Sequence, residues 1–371
     1  MKTDPNFPDI VSQFNFEGSF IRAEPFGMGH INDTYVAYFH AADGKIHQYI
    51  LQRINHFVFQ KPDELIRNIS RVTTHLRNKI LAVNGNPDRE TLTLIGTRDD
   101  ALFHISKQGC YWRAYKFIEN ALTYQIPVSL QHVYNAANAY GHFQNLLQDF
   151  PADHLVEAIA DFHNTAKRFE TFTAVIAQDA HNRVSKVQPE IDFILRRAHE
   201  ISTLVDLIEQ GELPIRVTHN DTKYNNVMID NETGAGICVI DLDTVMPGTL
   251  LYDFGDGIRS ITNTAAEDEQ DLSIVHFDLG IFNSYTKGYL DATQEVLTQT
   301  EIEYLPFSAR LMTLESGMRF LADYLDGDHY FRIKREHHNL DRCRTQFKMV
   351  QEMEEQFNSM KKIVDDNVKE H

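Results

Sequence analysis

The feature that most constrains this chain is the polar stretch at residues 217–226, which reads V-T-H-N-D-T-K-Y-N-N. Asp221 lies at its centre, and a second aspartate, Asp241, follows 20 residues later at the end of an apolar, partly β-branched run. Short apolar runs of this kind, separated by turn residues, are typical of β-strands. The spacing therefore predicts a loop and a hairpin that bring several polar side chains to one place.

These side chains match the needs of phosphoryl transfer to an alcohol. That reaction needs a carboxylate that orients the acceptor hydroxyl and takes its proton, together with oxygen ligands that hold Mg²⁺ on the phosphates. Asp221 is the candidate base. Asn226 and Asp241 are the candidate metal ligands, since Mg²⁺ prefers carboxylate and carbonyl oxygens. Lys223 lies two residues after Asp221 and is placed to neutralise the transferring phosphate.

A predicted hairpin explains how two distant residues can meet one ion. The turn residues 230–234 separate the apolar runs 226–229 and 237–240. Asn226 begins this hairpin and Asp241 follows it, so we expect the two side chains to lie close together.

A second aspartate motif lies nearby. Asp253, Phe254 and Gly255 spell the D-F-G metal motif of protein kinases, but Asp253 comes 32 residues after Asp221. That separation is too long for a short hairpin. We therefore predict that Asp253 braces the catalytic loop or caps the following helix.

The loop resembles the catalytic loop of the kinase-like fold, and the wider sequence resembles the N-acetylhexosamine 1-kinases. The matching segments are V-T-H-N-D-T-K-Y-N-N, V-I-D-L-D-T-V-M-P-G, Y-D-F-G-D-G-I-R, G-M-R-F-L-A-D-Y-L, G-H-I-N-D-T-Y and R-V-S-K-V-Q-P-E-I-D-F. The resemblance implies an α+β, two-lobe protein-kinase-like fold, with a small antiparallel-sheet N-lobe and a larger, mainly helical C-lobe. It also implies ATP-dependent phosphorylation of the anomeric hydroxyl of GlcNAc or GalNAc, with Mg²⁺ as cofactor.

The 371 residues are enough for two domains with sizeable cores. We place the nucleotide-binding lobe at residues 1–117, with five antiparallel strands and a helix at about 63–79. The catalytic and acceptor-binding lobe is placed at 118–371, with single helices predicted at 155–162 and 335–365. The hinge lies at about 117–120, and the backbone groups of Phe117 and Glu119 are predicted to read the adenine edge.

A glycine turn between two predicted strands lies at residues 25–36. Glycines let a backbone approach phosphates closely and expose N–H groups. We assign the following residues of this segment to nucleotide binding: Gly27, Gly29, His30, Asn32 and Thr34.

The third predicted strand, residues 48–53, departs from the usual kinase pattern. Kinases place a lysine on this strand that reaches the phosphates and pairs with a helix glutamate. Here Gln52 holds that position, and Glu64 is too early in the next helix to be its partner. Either Gln52 hydrogen-bonds the phosphates without charge, or a cation from elsewhere substitutes. Arg53 points to the opposite face, so a surface charge and a nucleotide role are equally good interpretations.

The acceptor is expected on the large lobe, close to Asp221 and Thr222. Arg319 can bond an acetamido carbonyl or sugar hydroxyls, because its fork offers several donors. Tyr330 can stack on a sugar ring. The alternatives from spacing alone are an ion pair between Arg319 and Asp323 and an ordinary core tyrosine. The resemblance favours substrate contacts.

Composition limits the partners. The net charge of −18 argues against nucleic-acid and anionic-membrane partners, which need a basic surface. Three widely separated cysteines without a C-x-x-C motif indicate reduced thiols. With no apolar run of 18 residues, we expect a cytoplasmic protein. The oligomeric state stays open.

The sequence leaves two alternative functions open. An amino-alcohol kinase acting on choline, ethanolamine or homoserine would want acidic or aromatic groups around its cationic acceptor, and Arg319 argues against it. A non-catalytic, nucleotide-binding scaffold would explain Gln52. The intact set of Asp221, Asn226 and Asp241 argues against that scaffold.

Overall fold

The structure is a computed structural model that describes residues 6–27, 31–293 and 295–369. It confirms the predicted α+β fold: an antiparallel sheet forms the N-terminal region, and the C-terminal region is mainly helical. The N-terminal elements are α1 (Phe7–Val11), β1 (Ser19–Pro25), β2 (Asp33–His40), β3 (Ile46–Arg53), α2 (Pro62–Ala82), α3 (Pro87–Glu90), β4 (Leu94–Ile95), β5 (His104–Ile105) and β6 (Tyr111–Lys116).

The N-terminal sheet has the strand order β1-β2-β3-β6-β4, with β5 also paired to β6. It contains six described strands, where the prediction counted five. The two short strands, Leu94–Ile95 and His104–Ile105, both pair with β6. In the register between β3 and β6, Gln52 lies opposite Arg113.

Helix α2 packs an apolar stripe against the core. Pro62 occupies its first turn, where the missing N–H costs no hydrogen bond. Asp63 in the first turn and Lys79 in the last turn suit the helix dipole. Asn68, 1% exposed, ties the helix to the C-terminal region. Its amide donates to the carbonyls of Val156 (2.7 Å) and Val245 (3.2 Å), and its oxygen accepts from the N–H of Val156 (3.2 Å).

The C-terminal region contains short strands and long helices. Its elements are β7 (Ala121–Leu122), α4 (Leu130–Leu146), α5 (Thr165–Gln178), α6 (Gln188–Leu195), α7 (Thr203–Glu209), β8 (Arg216–Thr218), β9 (Val227–Asp230), β10 (Gly236–Val239), β11 (Met246–Gly248), α8 (Leu250–Ile261), α9 (Leu279–Thr293), α10 (Gln299–Leu325), α11 (His338–Glu355) and α12 (Phe357–Lys369). Strand β7 pairs with β9, so the chain joins the C-terminal region soon after β6. The lobe boundary at 117–120 stays a prediction.

Two helix predictions are wrong. Residues 155–162 are not helical, and α5 begins only at Thr165, where the Asn164 side chain caps it by accepting from the N–H of Lys167. The single helix predicted at 335–365 is divided. It starts at His338 and breaks at Gln356, whose backbone is not helical, and α12 then buries Met360 and Val364 in the core.

No helix in the described ranges combines the length and the apolar composition needed to cross a membrane. Cys110, Cys238 and Cys343 are free thiols.

Candidate active site

The catalytic loop follows β8 and is held from behind by helix α8. Asp253 is fully buried, and its Oδ1 accepts the backbone N–H of Asn220 at 2.7 Å. Its Oδ2 accepts the N–H of His219 at 2.9 Å and the Gln144 amide at 2.7 Å. Both carboxylate oxygens are therefore used inside the protein. The prediction that Asp253 braces the loop is confirmed.

His219 joins this loop to the strand that leads to Asp241. Its Nδ1 accepts the backbone N–H of Asp221 at 3.2 Å, so the hydrogen of a neutral ring lies on Nε2, which donates to the carbonyl of Ile240 at 2.9 Å. One imidazole thus fixes the distance between the candidate base and the candidate metal ligand.

Asp221 has two polar neighbours from its own loop. The Lys223 Nζ lies 2.7 Å from Oδ1, and the Asn226 amide donates to the Asp221 carbonyl oxygen at 2.9 Å and to Oδ2 at 3.2 Å. Burial alone would raise the pKa of Asp221, but the charge and hydrogen bond of Lys223 outweigh it and lower the pKa below its ordinary value. The carboxylate is therefore ionised and oriented at neutral pH.

The predicted hairpin is present as β9 and β10. Beyond it, the N–H of Ile240 donates to the carbonyl of Asn226 at 2.9 Å, which places Asp241 one residue beyond the position opposite Asn226. Asp241 reaches solvent, yet desolvation by the surrounding protein, followed by the charges of Asp243 and Asp221, raises its pKa to about 7. This excess of negative charge is the setting in which a bound cation is favourable.

The donor set fits Mg²⁺ held together with phosphates. Because the Asn226 amide nitrogen is occupied by Asp221, its Oδ1 is the atom left to join the Asp241 carboxylate. The described residues contain no group of three or more His, Cys, Asp and Glu side chains that could hold a metal by themselves. Mg²⁺ commonly takes only one or two protein ligands and completes its shell with phosphates and water.

Two non-glycine residues of the site have left-handed backbones, Asn220 (φ 63°) and Asp241 (φ 60°). Asparagine and aspartate tolerate this conformation better than other residues. Such backbone conformations concentrate at functional sites, where the surrounding structure enforces them. Here the bonds from Asp253 and His219 hold the loop in place.

The predicted nucleotide side is only partly described. Gly29 and His30 lie outside the described residues. Gly27 has φ 77°, which favours glycine, with open space where a Cβ would lie. The Phe26 ring contacts Phe117 edge-to-face at 5.8 Å between centroids, so the glycine turn meets the predicted hinge.

The other predicted hinge residue, Glu119, is exposed, and its carbonyl accepts from Arg89 at 3.2 Å. Arg53 forms an ion pair with Asp33 at 2.6 Å, on the face of β3 away from Gln52. The Arg53 charge is thus already paired within the sheet.

Gln52 and Thr34 belong to a polar network that connects the N-terminal sheet to the segment that follows Asp241. The Gln52 amide donates to the Thr34 hydroxyl, and its oxygen accepts from Arg113 Nε, both at 3.0 Å. Arg113 forms an ion pair with Asp243, which also accepts from the Asn32 amide at 2.5 Å. Sequence reasoning missed Arg113 and Asp243. The available signal was a lone arginine inside the apolar strand of residues 111–115.

On the acceptor side, Arg319 lies 3.7 Å from Glu315, one turn earlier on α10. It does not pair with Asp323, because Asp323 accepts the backbone N–H groups of His329, Tyr330 and Phe331. The Arg319 guanidinium lies 5.9 Å from the centre of the Tyr330 ring, which is 53% exposed. The structure thus brings the two predicted acceptor residues together, and Tyr330 is not a core tyrosine.

His163 links this acceptor side to the catalytic loop. One ring nitrogen lies 3.0 Å from Glu315 and the other 3.0 Å from the carbonyl of Asn220, next to Asp221. Thr222 is buried, and its hydroxyl donates to the carbonyl of Asp253 at 2.6 Å, so its substrate contact stays a prediction. Both ring nitrogens of His163 have partners, as expected of a structural histidine, but its link to Glu315 was not predicted, since no local motif marks it.

The fold and the H-x-D-x-x-x-x-N loop beside Asp241 define the class of kinase-like phosphotransferases. The sequence model of the phosphotransferase enzyme family (APH) matches residues 22–288, more than half of the chain. The chain therefore belongs to this family.

Solved structures share the fold. An aminoglycoside phosphotransferase from Alicyclobacillus acidocaldarius has a TM-score of 0.65 at 12% identity, over 98% of both chains. An ethanolamine kinase from Plasmodium vivax has a TM-score of 0.55 at 14% identity, over 93% of this chain and 84% of that one. A microcompartment-associated aminopropanol kinase has a TM-score of 0.52 at 16% identity, over 92% and 93%. At these identities the likeness concerns the fold.

Proposed function

We propose that this phosphotransferase moves the γ-phosphoryl group of ATP to the anomeric hydroxyl of an N-acetylhexosamine, GlcNAc or GalNAc, to give the sugar 1-phosphate. The observation that carries the kinase activity is the Asp221 carboxylate, ionised and oriented by Lys223 and Asn226. The choice of acceptor rests on Arg319 and Tyr330, together with the resemblance of their segments to the N-acetylhexosamine 1-kinases.

Asp221 accepts the proton of the acceptor hydroxyl as that oxygen attacks phosphorus. An anomeric hydroxyl is more acidic than an ordinary alcohol, because the ring oxygen withdraws electron density, so a carboxylate is a sufficient base. Lys223 stays beside the carboxylate, and its charge favours the negative oxygens of the transferring group. The backbone bonds from Asp253 keep this geometry in place before substrate arrives.

Asn226 and Asp241 would hold Mg²⁺ against the phosphates. When bound, the ion neutralises phosphate charge during transfer. On the nucleotide side, Phe26 and Phe117 would border the adenine ring, and the backbone at Gly27 would approach the phosphates.

Arg319 is prepared to bind a neutral polar group. Its guanidinium lies 4.9 Å from the Phe162 ring centre and 5.7 Å from that of Phe331, and its side chain is only 16% exposed. Ring faces on several sides fix the plane of the fork, so its remaining donors point in defined directions. An acetamido carbonyl would satisfy them, while Tyr330 offers an exposed ring to the sugar face.

The charge of this region disfavours an amino-alcohol acceptor. Arg168 lies close enough to Arg319 that burial, followed by the charge of Arg319, lowers its pKa. Arg319 forms an ion pair with Glu315, which is itself shared with His163, and the charges of Glu315 and Asp161 offset only part of the shift at Arg168. The positive charges of Arg319 and Arg168 would repel an ammonium group bound here, whereas they would not repel a neutral sugar.

An acceptor panel tests the proposal. With Mg·ATP, we expect turnover with GlcNAc or GalNAc, clearly slower turnover with the unsubstituted hexoses, and none with the 1-O-methyl glycosides, which carry no anomeric proton. Phosphorus NMR and mass spectrometry of the product identify the phosphorylated oxygen. Phosphate on O6, or turnover of choline or ethanolamine without turnover of the sugars, would overturn the choice of acceptor. Binding of Mg·ADP without transfer to any acceptor would favour the non-catalytic scaffold.

A further inference from the structure

Arg113 is a charged residue buried inside the N-terminal sheet. It is 1% exposed and lies on β6, directly opposite Gln52 on β3. A buried guanidinium is costly unless it is paired and hydrogen-bonded. Arg113 has both kinds of partner: Nε donates to the Gln52 oxygen at 3.0 Å, and Nη1 forms an ion pair with Asp243.

Asp243 belongs to the C-terminal region, two residues after the candidate metal ligand Asp241. It is 4% exposed and also accepts the Asn32 amide at 2.5 Å. Asn32 is itself fixed, since its oxygen accepts the N–H of Asn55 at 3.0 Å. Asp243 is therefore held by one side chain from β6 and one from the segment before β2, both in the N-terminal region.

The other arginine and lysine side chains on the described strands around Gln52 form ion pairs with other residues. Arg53 pairs with Asp33, the exposed Lys116 pairs with Asp88, and Arg22 pairs with Glu24. Arg113 alone among the arginines and lysines of these described strands forms an ion pair with the 241–243 segment. Gln52, which lacks charge, orients that arginine instead of offering a cation itself.

We propose that Arg113 takes the place of the missing strand lysine, as a positioning residue. It holds Asp243 and thereby fixes the position of Asp241 for binding the metal and the nucleotide. The proposal rests on the proposed kinase function but not on the identity of the acceptor. In a conventional kinase, the strand lysine pairs with a glutamate of the neighbouring helix. Here the cation comes from β6, the carboxylate comes from the D-L-D segment, and the pair joins the N-terminal sheet directly to the C-terminal region.

The first test compares Mg·ADP affinity with stability. We expect Arg113→Gln and Asp243→Asn each to weaken Mg·ADP binding by about 10-fold or more, the scale expected for residues in one ion-pair network. Each also leaves the other charge buried and unpaired, so each lowers the unfolding temperature. In the double variant neither charge is left unpaired. We therefore expect its unfolding temperature to recover while Mg·ADP affinity stays low.

Calorimetry gives the affinity, and thermal unfolding gives the stability. Arg53→Gln is the matched control, since it breaks a part-buried ion pair of the same sheet and should lower stability without weakening Mg·ADP. If the Mg·ADP affinity of the double variant recovers together with its stability, the Arg113–Asp243 pair has only a structural role. Tighter Mg·ADP binding by Arg113→Gln would show that Arg113 competes with the metal for Asp243. Either result overturns the proposal.

The second test moves the cation back to β3. Gln52→Lys alone should lower kcat/KM for ATP, because it sets a second cation against Arg113. In the Arg113→Gln background, the same Gln52→Lys change should restore part of the lost affinity, since the strands place the two positions side by side. If the folded variant that combines Gln52→Lys with Arg113→Gln regains no Mg·ADP affinity, the idea that one cation can replace the other is contradicted.

Arg113→Lys completes the series by keeping the charge while losing the Nε bond to Gln52. It should retain more Mg·ADP affinity than Arg113→Gln, and equal losses in both would contradict a role for the charge. A wild-type protein that fails to bind Mg·ADP would instead refute the proposed function, so the two failures are distinguishable.

Discussion

Asp253 accepts the backbone N–H of Asn220 through a buried 2.7 Å hydrogen bond, and this contact explains the literal D-F-G in the sequence. The aspartate of that motif faces the back of the catalytic loop, and its two oxygens are occupied by backbone and amide donors. Its task is to hold Asn220 in the left-handed backbone from which Asp221 follows.

Replacement of Asp253 should separate stability from metal binding. Asp253→Asn sets an NH₂ group against backbone N–H donors, and we expect it to destabilise the fold by about 1.5–3 kcal/mol, the value of hydrogen bonds to a charged group. Denaturant unfolding measures this loss, with exposed Asp326→Asn as the control. Asp241→Asn should abolish Mg²⁺-dependent ADP binding with a smaller loss of stability. The reverse pattern would move the metal site to Asp253.

Asp221→Asn tests the base. We expect kcat to fall by about 10²- to 10⁴-fold, the usual contribution of a positioned general base, while Mg·ADP affinity changes little. Steady-state kinetics with the best acceptor and a nucleotide titration measure both. Turnover close to that of the wild type would remove Asp221 from the base role. A parallel loss of nucleotide binding would point to a collapsed loop.

Arg319→Leu tests acceptor recognition. We expect the preference in kcat/KM for the N-acetyl sugar over the plain hexose to shrink by about 10- to 100-fold. A site built to hydrogen-bond a substrate group rejects analogues that lack this group, because its own donor is then left unpaired. Slow ATP hydrolysis without acceptor should be unchanged. Arg319→Lys keeps the charge but loses the forked guanidinium. Its preference for the N-acetyl sugar should lie between those of the wild type and Arg319→Leu. An unchanged sugar preference would exclude Arg319 from acceptor binding.

Asp230 makes the hairpin sensitive to acid. Its carboxylate accepts the N–H groups of Glu232 and Thr233 and pairs with Arg89 at 2.8 Å. The backbone bond from Thr233, followed by the bond from Arg89, lowers its pKa well below the ordinary value. A folded-state pKa below the unfolded one stabilises the protein above about pH 4, and this stabilisation is lost as pH falls through the folded pKa.

Asp230→Asn should therefore lower the unfolding temperature at pH 7, and the difference from the wild type should narrow as pH drops below about 4. Thermal unfolding between neutral and acidic pH measures it. Glu232→Gln, an exposed neighbouring carboxyl, is the control. A difference that stays constant with pH would show that the Asp230 charge does not stabilise the hairpin.

The parts of the site that sequence predicts are local ones. The hairpin between Asn226 and Asp241 follows from two apolar runs around a turn, because antiparallel strands joined by a short loop need no information from the rest of the chain. The bracing role of Asp253 followed from a distance along the chain that excluded a hairpin. Its three donors were not predictable, since Gln144 comes from a distant helix.

The parts that sequence did not predict are non-local pairs. Arg113 and Asp243 meet only because β6 adds to the sheet beside β3, and that register is set by the whole sheet. The alternative ion pair between Arg319 and Asp323 followed a sound helical spacing, but Asp323 instead accepts the backbone N–H groups of the turn at residues 329–331. The division at Gln356 depends likewise on packing, because α12 turns to bury Met360.

The bonds of Asn68 have a consequence for control of activity. Kinases that are switched on and off do so in part by moving the helix after the third strand. Here a displaced α2 would leave a buried amide and its partners at Val156 and Val245 without hydrogen bonds. We therefore expect a catalytic centre that stays assembled, with turnover governed by the concentrations of acceptor and nucleotide and not by movement of α2.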